Sequence, residues 1–279
     1  MNRRGFLQST LLVTMTMPFM KEKISKKVSY LQSIPNMLSM WDFEGTNPLV
    51  AKGEYPYSLR EGNGQVPIEN DGVLAGHSIN LSEGQYLFIP RSECKGLDLH
   101  GKEAEMTLLA WVNRRFKDFN QCETIAGMWN ETNKNRQYCM FLNLGIYDSG
   151  DQVGGHISGV GGPTSGFKYC MDAAIGKEII SYDTWTFAAM TYDGREIKSY
   201  YNGELDIRNN RNPYPYPEGI YSPGKNGADF TVGAVDRSNE MGNFYSGKIG
   251  GLAVFNRALT NQEIRAIHNE YPLNKLNGE

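Results

Sequence analysis

The chain of 279 residues holds little metal-binding chemistry: its 4 histidines are scattered, and its 4 cysteines form no CxxC pair. The ligand spacing of a structural zinc site is therefore missing. Cys94, Cys122, Cys139 and Cys170 leave two readings open. They could form one or two disulfides, with sequence unable to choose the connectivity, or serve as four small buried thiols. Excess positive charge is also absent. Lys+Arg number 28 against 31 Asp+Glu, a net charge of -3, which gives no general attraction to nucleic acid or an anionic membrane. No segment after the first 30 residues is apolar enough to span a bilayer. No repeat of about 20–50 residues occurs, and no low-complexity linker divides the chain after residue 35.

What the chain does have is 16 Tyr, 12 Phe, 31 Gly and 12 Pro, the composition of many strands joined by turns. Apolar residues recur at period two or in short runs. The pattern predicts strands near Leu38–Phe43, His77–Leu81, Tyr86–Ile89, Met106–Val112, Glu123–Trp129 and Gln137–Leu144. Further strands are predicted near Gly154–Ser158, Trp185–Tyr192, Ile197–Tyr201, Phe230–Val235 and Gly247–Phe255. Between Thr107 and Val112 both alternating faces are apolar, as in a strand covered on both sides. Asn202-Gly203 suits a type I′ hairpin, whose two central residues need positive φ. One helix is predicted, at the end. Thr260 and Glu263 form a capping box, Leu259 and Ile264 a hydrophobic staple, and Pro272 a stop. The expectation is one domain over 36–272, with a tail at 273–279 and long loops at 44–75, 145–183 and 206–228. Loops of that length inside a domain are often functional.

The N-terminus reads as an address. Arg3-Arg4 followed by Phe6-Leu7 resembles the bacterial twin-arginine export signal, and the uncharged stretch from Ser9 to Met20 suits its apolar region. Residues 1–30 are therefore expected to be a signal segment directing the protein to the periplasm or outside the cell.

Four stretches carry a resemblance to a family. They are Met40-Trp-Asp-Phe-Glu-Gly45, Met106-Thr-Leu-Leu-Ala-Trp-Val112, the run from Asp183 to Gly194 with Tyr200-Tyr-Asn-Gly203, and Phe230-Thr-Val-Gly233 with the segment from Tyr245 through the capped helix. In order and spacing they resemble the LamG-like jelly-roll family of the concanavalin A-like lectin/glucanase superfamily. The resemblance implies an all-β fold, a two-sheet antiparallel jelly-roll sandwich with one short C-terminal helix. The superfamily includes lectins, adhesive modules, hydrolases and lyases, so the fold leaves the activity open.

Candidate ligand residues lie in the segments least like a generic member of that family. They are Trp129, Asn130, Glu131, Arg136, Tyr138, His156, Tyr169, Arg211, Asn212, Asp236, Arg237 and Glu240. Rings that pack on the apolar face of a pyranose, beside planar polar groups that bond hydroxyls, are sugar-binding chemistry. The expected partner is thus a poly- or oligosaccharide, with no catalytic residue assigned. The alternatives are an enzyme on the same kind of polymer and a protein-binding module. Hydrolysis needs two carboxyl groups. Glu204-Leu-Asp206 lacks the second glutamate of the jelly-roll glucanase pattern and reads as a hairpin end, leaving Glu131 and Glu240 as an unlinked pair. Elimination needs a base and a carboxylate neutraliser, residue types that Arg136-Gln137-Tyr138, His156 and Lys168-Tyr169 supply. Calcium is common in the superfamily, and the resemblance points to Asp42, Asp229 and Asp236 as contributors. Gly161-Gly-Pro-Thr-Ser-Gly-Phe-Lys168 lacks the ending of a phosphate-binding loop and reads as tight turns.

Overall fold

The structure, a computed structural model, describes residues 30–277. The expected export segment lies outside the described residues, save for Tyr30. Two sheets of nine strands each form the body. The first contains β1 (Met37–Trp41), β3 (Ile68–Glu69), β4 (Ser78–Leu81), β6 (Met106–Arg114), β11 (Trp185–Tyr192), β12 (Glu196–Tyr201), β13 (Glu204–Leu205), β14 (Tyr214–Pro215) and β18 (Gly247–Phe255). The second contains β2 (Arg60–Gly62), β5 (Tyr86–Ile89), β7 (Glu123–Asn130), β8 (Asn135–Leu142), β9 (Val153–Ile157), β10 (Ala173–Ile175), β15 (Phe230–Val232), β16 (Val235–Arg237) and β17 (Glu240–Gly242). Their main orders are β13-β12-β11-β6-β18-β4-β3 and β10-β9-β8-β7-β15-β5-β2. Among the described residues, pairing is antiparallel except for two bridges, one between Asp236 of β16 and Asn130 of β7 and one between Arg114 of β6 and Tyr182. This is the expected all-β, two-sheet jelly-roll sandwich.

Side-chain alternation decides which face each residue serves. On β6, Leu108, Ala110 and Val112 enter the core between the sheets, where they meet Ala126, Met128, Tyr138 and Met140 of the second sheet. Leu109 and Trp111 point the other way, to the back of the first sheet. There the helix α1 (Asn261–Glu270) covers them with Ile264 and Ile267. The Trp111 ring lies 4.8 Å from Phe187 and 5.3 Å from Tyr271. The doubly apolar strand is therefore covered on both sides, as its sequence implies.

Both expected local signals are present. The Thr260 hydroxyl accepts from the Glu263 amide while the Glu263 carboxylate accepts from the Thr260 amide, closing the capping box. Asn202 and Gly203 have φ of 47° and 84°, and Tyr201 pairs with Glu204 across them. Packing reaches beyond residues 36 and 272 at both ends, to Leu31 and Leu273. Leu31 is buried under Tyr271, whose hydroxyl accepts from the Leu31 amide at 3.4 Å. After Leu273 the chain forms the short helix α2 (Asn274–Asn277). The Asn277 side-chain amide accepts from Trp185 N at 2.8 Å and donates to Trp185 O at 3.1 Å.

One buried ion pair ties the two sheets together. The guanidinium of Arg114 on β6 donates to Glu123 on β7 at 2.8 and 3.0 Å, and its other arm reaches Asp151. None of the four cysteines is in a disulfide. Cys94 lies in the core between the sheets, while Cys122, Cys139 and Cys170 gather on the back of the second sheet. The buried-thiol reading holds for Cys94, Cys139 and Cys170, and burial pushes the Cys94 and Cys170 thiols up to about 11.

Candidate functional site

The backs of the two sheets are treated differently. The first lies under α1; the second carries a pocket of about 230 Å³ on its outer face. Trp129, Phe141 and His156 line it, from adjacent strands β7, β8 and β9. Phe141 packs edge on against Trp129 and His156, at 5.8 and 5.5 Å, and the His156 ring is tilted against Trp129 at 5.2 Å. Glu131, Arg136, Tyr169, Cys170, Arg237 and Asn243 complete much of the wall.

A bulge brings Arg136 here. Met128 pairs with Tyr138, yet the next residue, Trp129, pairs with Arg136, so Gln137 is an extra residue on β8. Simple alternation would place Arg136 and Tyr138 on the same face. The inserted residue reverses the face of Arg136, as bulges beside binding sites often do. Gln137 turns away, donating to Asp98 and Leu99 O at 2.8 and 3.1 Å. Arg136 becomes the cross-strand partner of Trp129, its guanidinium 5.8 Å from the indole ring.

The β7–β8 turn is held by its own polar groups. Asn130 accepts from the Asn133 amide at 2.7 Å, and Thr132 donates its hydroxyl to the Asp236 carboxylate. The Glu131 amide donates to Asp236 O at 2.8 Å, setting Glu131 at the pocket edge. Glu131 accepts from the Trp129 indole at 3.3 Å. On the opposite wall, the Thr164 hydroxyl donates to Asp172 and accepts from the Met171 amide, fastening the loop that carries Tyr169 and Cys170. Tyr169 remains 46% exposed at the rim. Gly154 allows the remaining wall to lie close. A Cβ at that position would come within 2.3 Å of the Leu144 side chain, which lines the pocket beside it.

Two polar side chains in this wall are buried without full partners. Arg136 is 4% exposed. Its Nη1 donates to Gly161 O at 3.3 Å, its Nη2 is 3.8 Å from Glu131, and its Nε has no hydrogen-bond partner. His156 is 3% exposed, and its Nδ1 has no partner. Burial lowers the His156 pKa to about 3, so the ring is neutral at pH 7. Buried polar atoms normally find partners, and exceptions call for an explanation such as a ligand.

Six of the expected ligand residues therefore meet: Trp129, Glu131, Arg136, His156, Tyr169 and Arg237. The other six do not line the pocket. Tyr138 faces the core between the sheets and donates to Leu97 O at 2.8 Å. Asn212 is buried elsewhere; its amide donates to Ser199 O and Asp206 O and accepts from Ser199 N. Asn130 and Asp236 brace the hairpin and do not line the pocket. Arg211 stands at the rim loop, 3.5 Å over the Tyr147 ring. Glu240 is exposed in a neighbouring depression that shares Arg237 and Asn243 with the pocket. Of the residue set considered for elimination, Arg136, His156 and Tyr169 come together, while Gln137 and Tyr138 point away. Glu204 is exposed on β13 and paired with Arg265, the hairpin end that its sequence implies.

Phe141, Leu144, Ile146 and Cys122 also line the pocket and were not foreseen; Cys170 and Asn243, which join them, end two of the segments from which the candidates were drawn. Phe141 had a signal: it alternates with Met140 and Leu142, so it faces away from the core if they face in.

The three aspartates considered for calcium each have a partner within the protein. Asp42 pairs with Lys52, Asp229 accepts from the Arg91 amide, and Asp236 from Thr132. Among the described residues no three His, Cys, Asp or Glu side chains come together as metal ligands.

The fold has known counterparts. Domain 4 of AbnA, a GH43 extracellular arabinanase from Geobacillus stearothermophilus, solved in complex with arabinotriose, superposes with a TM-score of 0.54 at 14% identity, over 84% of this chain and 98% of that one. The binding domain of Paraclostridial Mosquitocidal Protein 1 gives 0.58 at 14% identity, over 85% of this chain and 52% of that one. The Botulinum neurotoxin serotype G binding domain gives 0.55 at 14% identity, over 84% and 50%. The chain thus spans about half the length of those two toxin binding domains. At these identities the likeness is one of fold. No curated protein matches the sequence. The sequence itself matches the family model of the superfamily over residues 82–265, two thirds of the chain, and so this sandwich belongs to the concanavalin A-like lectin/glucanases superfamily.

Proposed function

We propose that this protein binds carbohydrate in the pocket on the back of its second sheet. The observation that carries this reading is the pair of buried, incompletely partnered polar groups, Arg136 and His156, set in a wall of aromatic rings. Such a wall suits a molecule with an apolar face and a polar edge, the character of a sugar ring. The pocket is smaller than the roughly 300–1,000 Å³ usual for drug-sized ligands, which fits one sugar residue, with a neighbouring residue resting on exposed Tyr169. The arabinotriose bound to the arabinanase domain of the same fold is consistent with this. Binding is favoured over hydrolysis because the wall offers one carboxyl group, Glu131, where glycoside hydrolysis uses two. The twin-arginine-like segment supports action on a glycan outside the cytoplasm.

The test is retention on immobilised polysaccharides and a glycan array, with reducing ends and absorbance near about 230 nm followed to detect cleavage by hydrolysis or elimination. Retention without new products is expected. A protein that no glycan retains would end this reading.

A further inference from the structure

The charges around this pocket are not balanced within the protein. Elsewhere, Arg60, Arg114, Arg257 and Arg265 each lie within 3.0 Å of a carboxylate, as does Arg91 with Asp98, whereas Arg115 donates to Asn80 and neither it nor Arg195 has a carboxylate within 4.0 Å among the described residues. At the pocket, Arg136 has one carboxylate at 3.8 Å, and Arg237 has none within 4.0 Å among the described residues. The Arg237 guanidinium donates instead to the Asn243 amide oxygen. The rim carries further cations, beside one carboxylate, Asp172, which accepts from Thr164 and Tyr214. Arg211 stacks on Tyr147 and Arg208 donates to Tyr147 O, one residue beyond Ile146 of the wall, and neither has a carboxylate within 4.0 Å among the described residues. Lys168 lies over the rim ring of Tyr169, 5.1 Å from its centroid. The whole chain carries a net charge of -3, so this local excess runs against the average.

A buried guanidinium is costly unless its donors and charge are met. Arg136 meets that need poorly from within: one hydrogen bond of 3.3 Å, one distant carboxylate, and an unpartnered Nε. The planar fork of arginine matches a carboxylate through two parallel N–H···O bonds. We infer that the sugar this pocket takes carries a carboxylate, so that the ligand is an acidic polysaccharide containing uronate, with Arg136 as the partner of the carboxylate and Arg237 and Arg211 adding charge at the edge. This rests on the glycan reading above and specifies its substrate class. The neighbouring polar group, His156, is neutral and supplies a hydrogen-bonding edge to the sugar without adding charge.

The experiment compares binding of the full chain, at about 0.15 M salt to screen exposed charges, to polygalacturonate, alginate and glucuronan. Each is paired with its carboxyl-reduced form, and a sulfated neutral glucan is included. At least one native polyuronate is expected to bind at least about tenfold more tightly than its reduced form and than the sulfated glucan. Arg136→Lys keeps the charge but loses the fork, and is expected to weaken that binding about tenfold. Arg237→Gln, in a less buried side chain, should also weaken it, and so guards against misfolding of the Arg136 variant. If a reduced polymer binds as well as its parent, or the sulfated glucan binds as well as the polyuronate, the carboxylate inference falls while glycan binding stands. If neutral, sulfated and uronate polymers all fail to bind, both fall together.

Discussion

The rings of Trp129 and His156 meet at 5.2 Å across the width of β8, and the imidazole sits there almost without solvent. Burial holds the ring neutral, with a pKa lowered from 6.5 to about 3. Between those values the unfolded chain takes up a proton that the folded chain refuses. Stability should therefore fall as pH drops from 6.5 toward 3, and this contribution should level off below. The ring signals of His156 in NMR should stay unmoved from pH 7 to 5. His156→Phe should flatten the pH dependence of urea unfolding in the same window. A ring that titrates near pH 6 would contradict the burial that shapes the pocket.

Tyr169 stands at the rim with nearly half its surface in water, so its removal should leave the fold intact. Tyr169→Ala is expected to change stability by less than about 0.5 kcal/mol. It should weaken glycan binding about tenfold, the equivalent of about 1.4 kcal/mol of ring contact. Calorimetry with one ligand and a thermal melt would separate the two effects. Equal affinity in the variant would remove Tyr169 from the site.

Arg114 and Glu123 form the charged link between the sheets, both 1% exposed. Glu123→Gln leaves the guanidinium with Asp151 alone, on its partly exposed side. Breaking one side of such a pair costs about 3–5 kcal/mol. Denaturant unfolding should show that loss with an unchanged slope. A loss below about 1 kcal/mol would mean the link behaves as an ordinary surface pair.

The capping box at Thr260 gives a second pH signature. Glu263 is held down to about 2 by Arg257, with the Thr260 amide and hydroxyl adding to the effect. Its carboxylate therefore stabilises the fold above the ordinary value of 4.5, and that stabilisation is lost as pH falls through about 2. Glu263→Gln should be less stable than the parent at pH 7, with the gap narrowing below pH 4.5. Thr260→Ala should cost about 1 kcal/mol at neutral pH. A gap that is constant down to pH 2 would show that Glu263 acts through packing rather than charge.

The sandwich was legible because its strands obey period two and its turns carry their own chemistry. Tyr86–Ile89, Trp185–Tyr192 and Gly247–Phe255 fall where the apolar pattern places them. The site was only half legible, and the bulge at Gln137 is the main reason. Nothing in Arg136-Gln137-Tyr138 announces that one residue is skipped in pairing, so Arg136 and Tyr138 look equivalent although they face opposite sides of the sheet. Asn212 and Asp236 misled for another reason. Their polar side chains look free in sequence but satisfy backbone and hydroxyl groups brought near only by folding. β10, inside the expected long loop, was missed because three apolar residues are too few to show a period.

Leu31 and Asn277, near the two limits of the described chain, both dock on the side covered by α1. The chain's own segments thus close the back of the first sheet, while the back of the second keeps its ring-lined pocket.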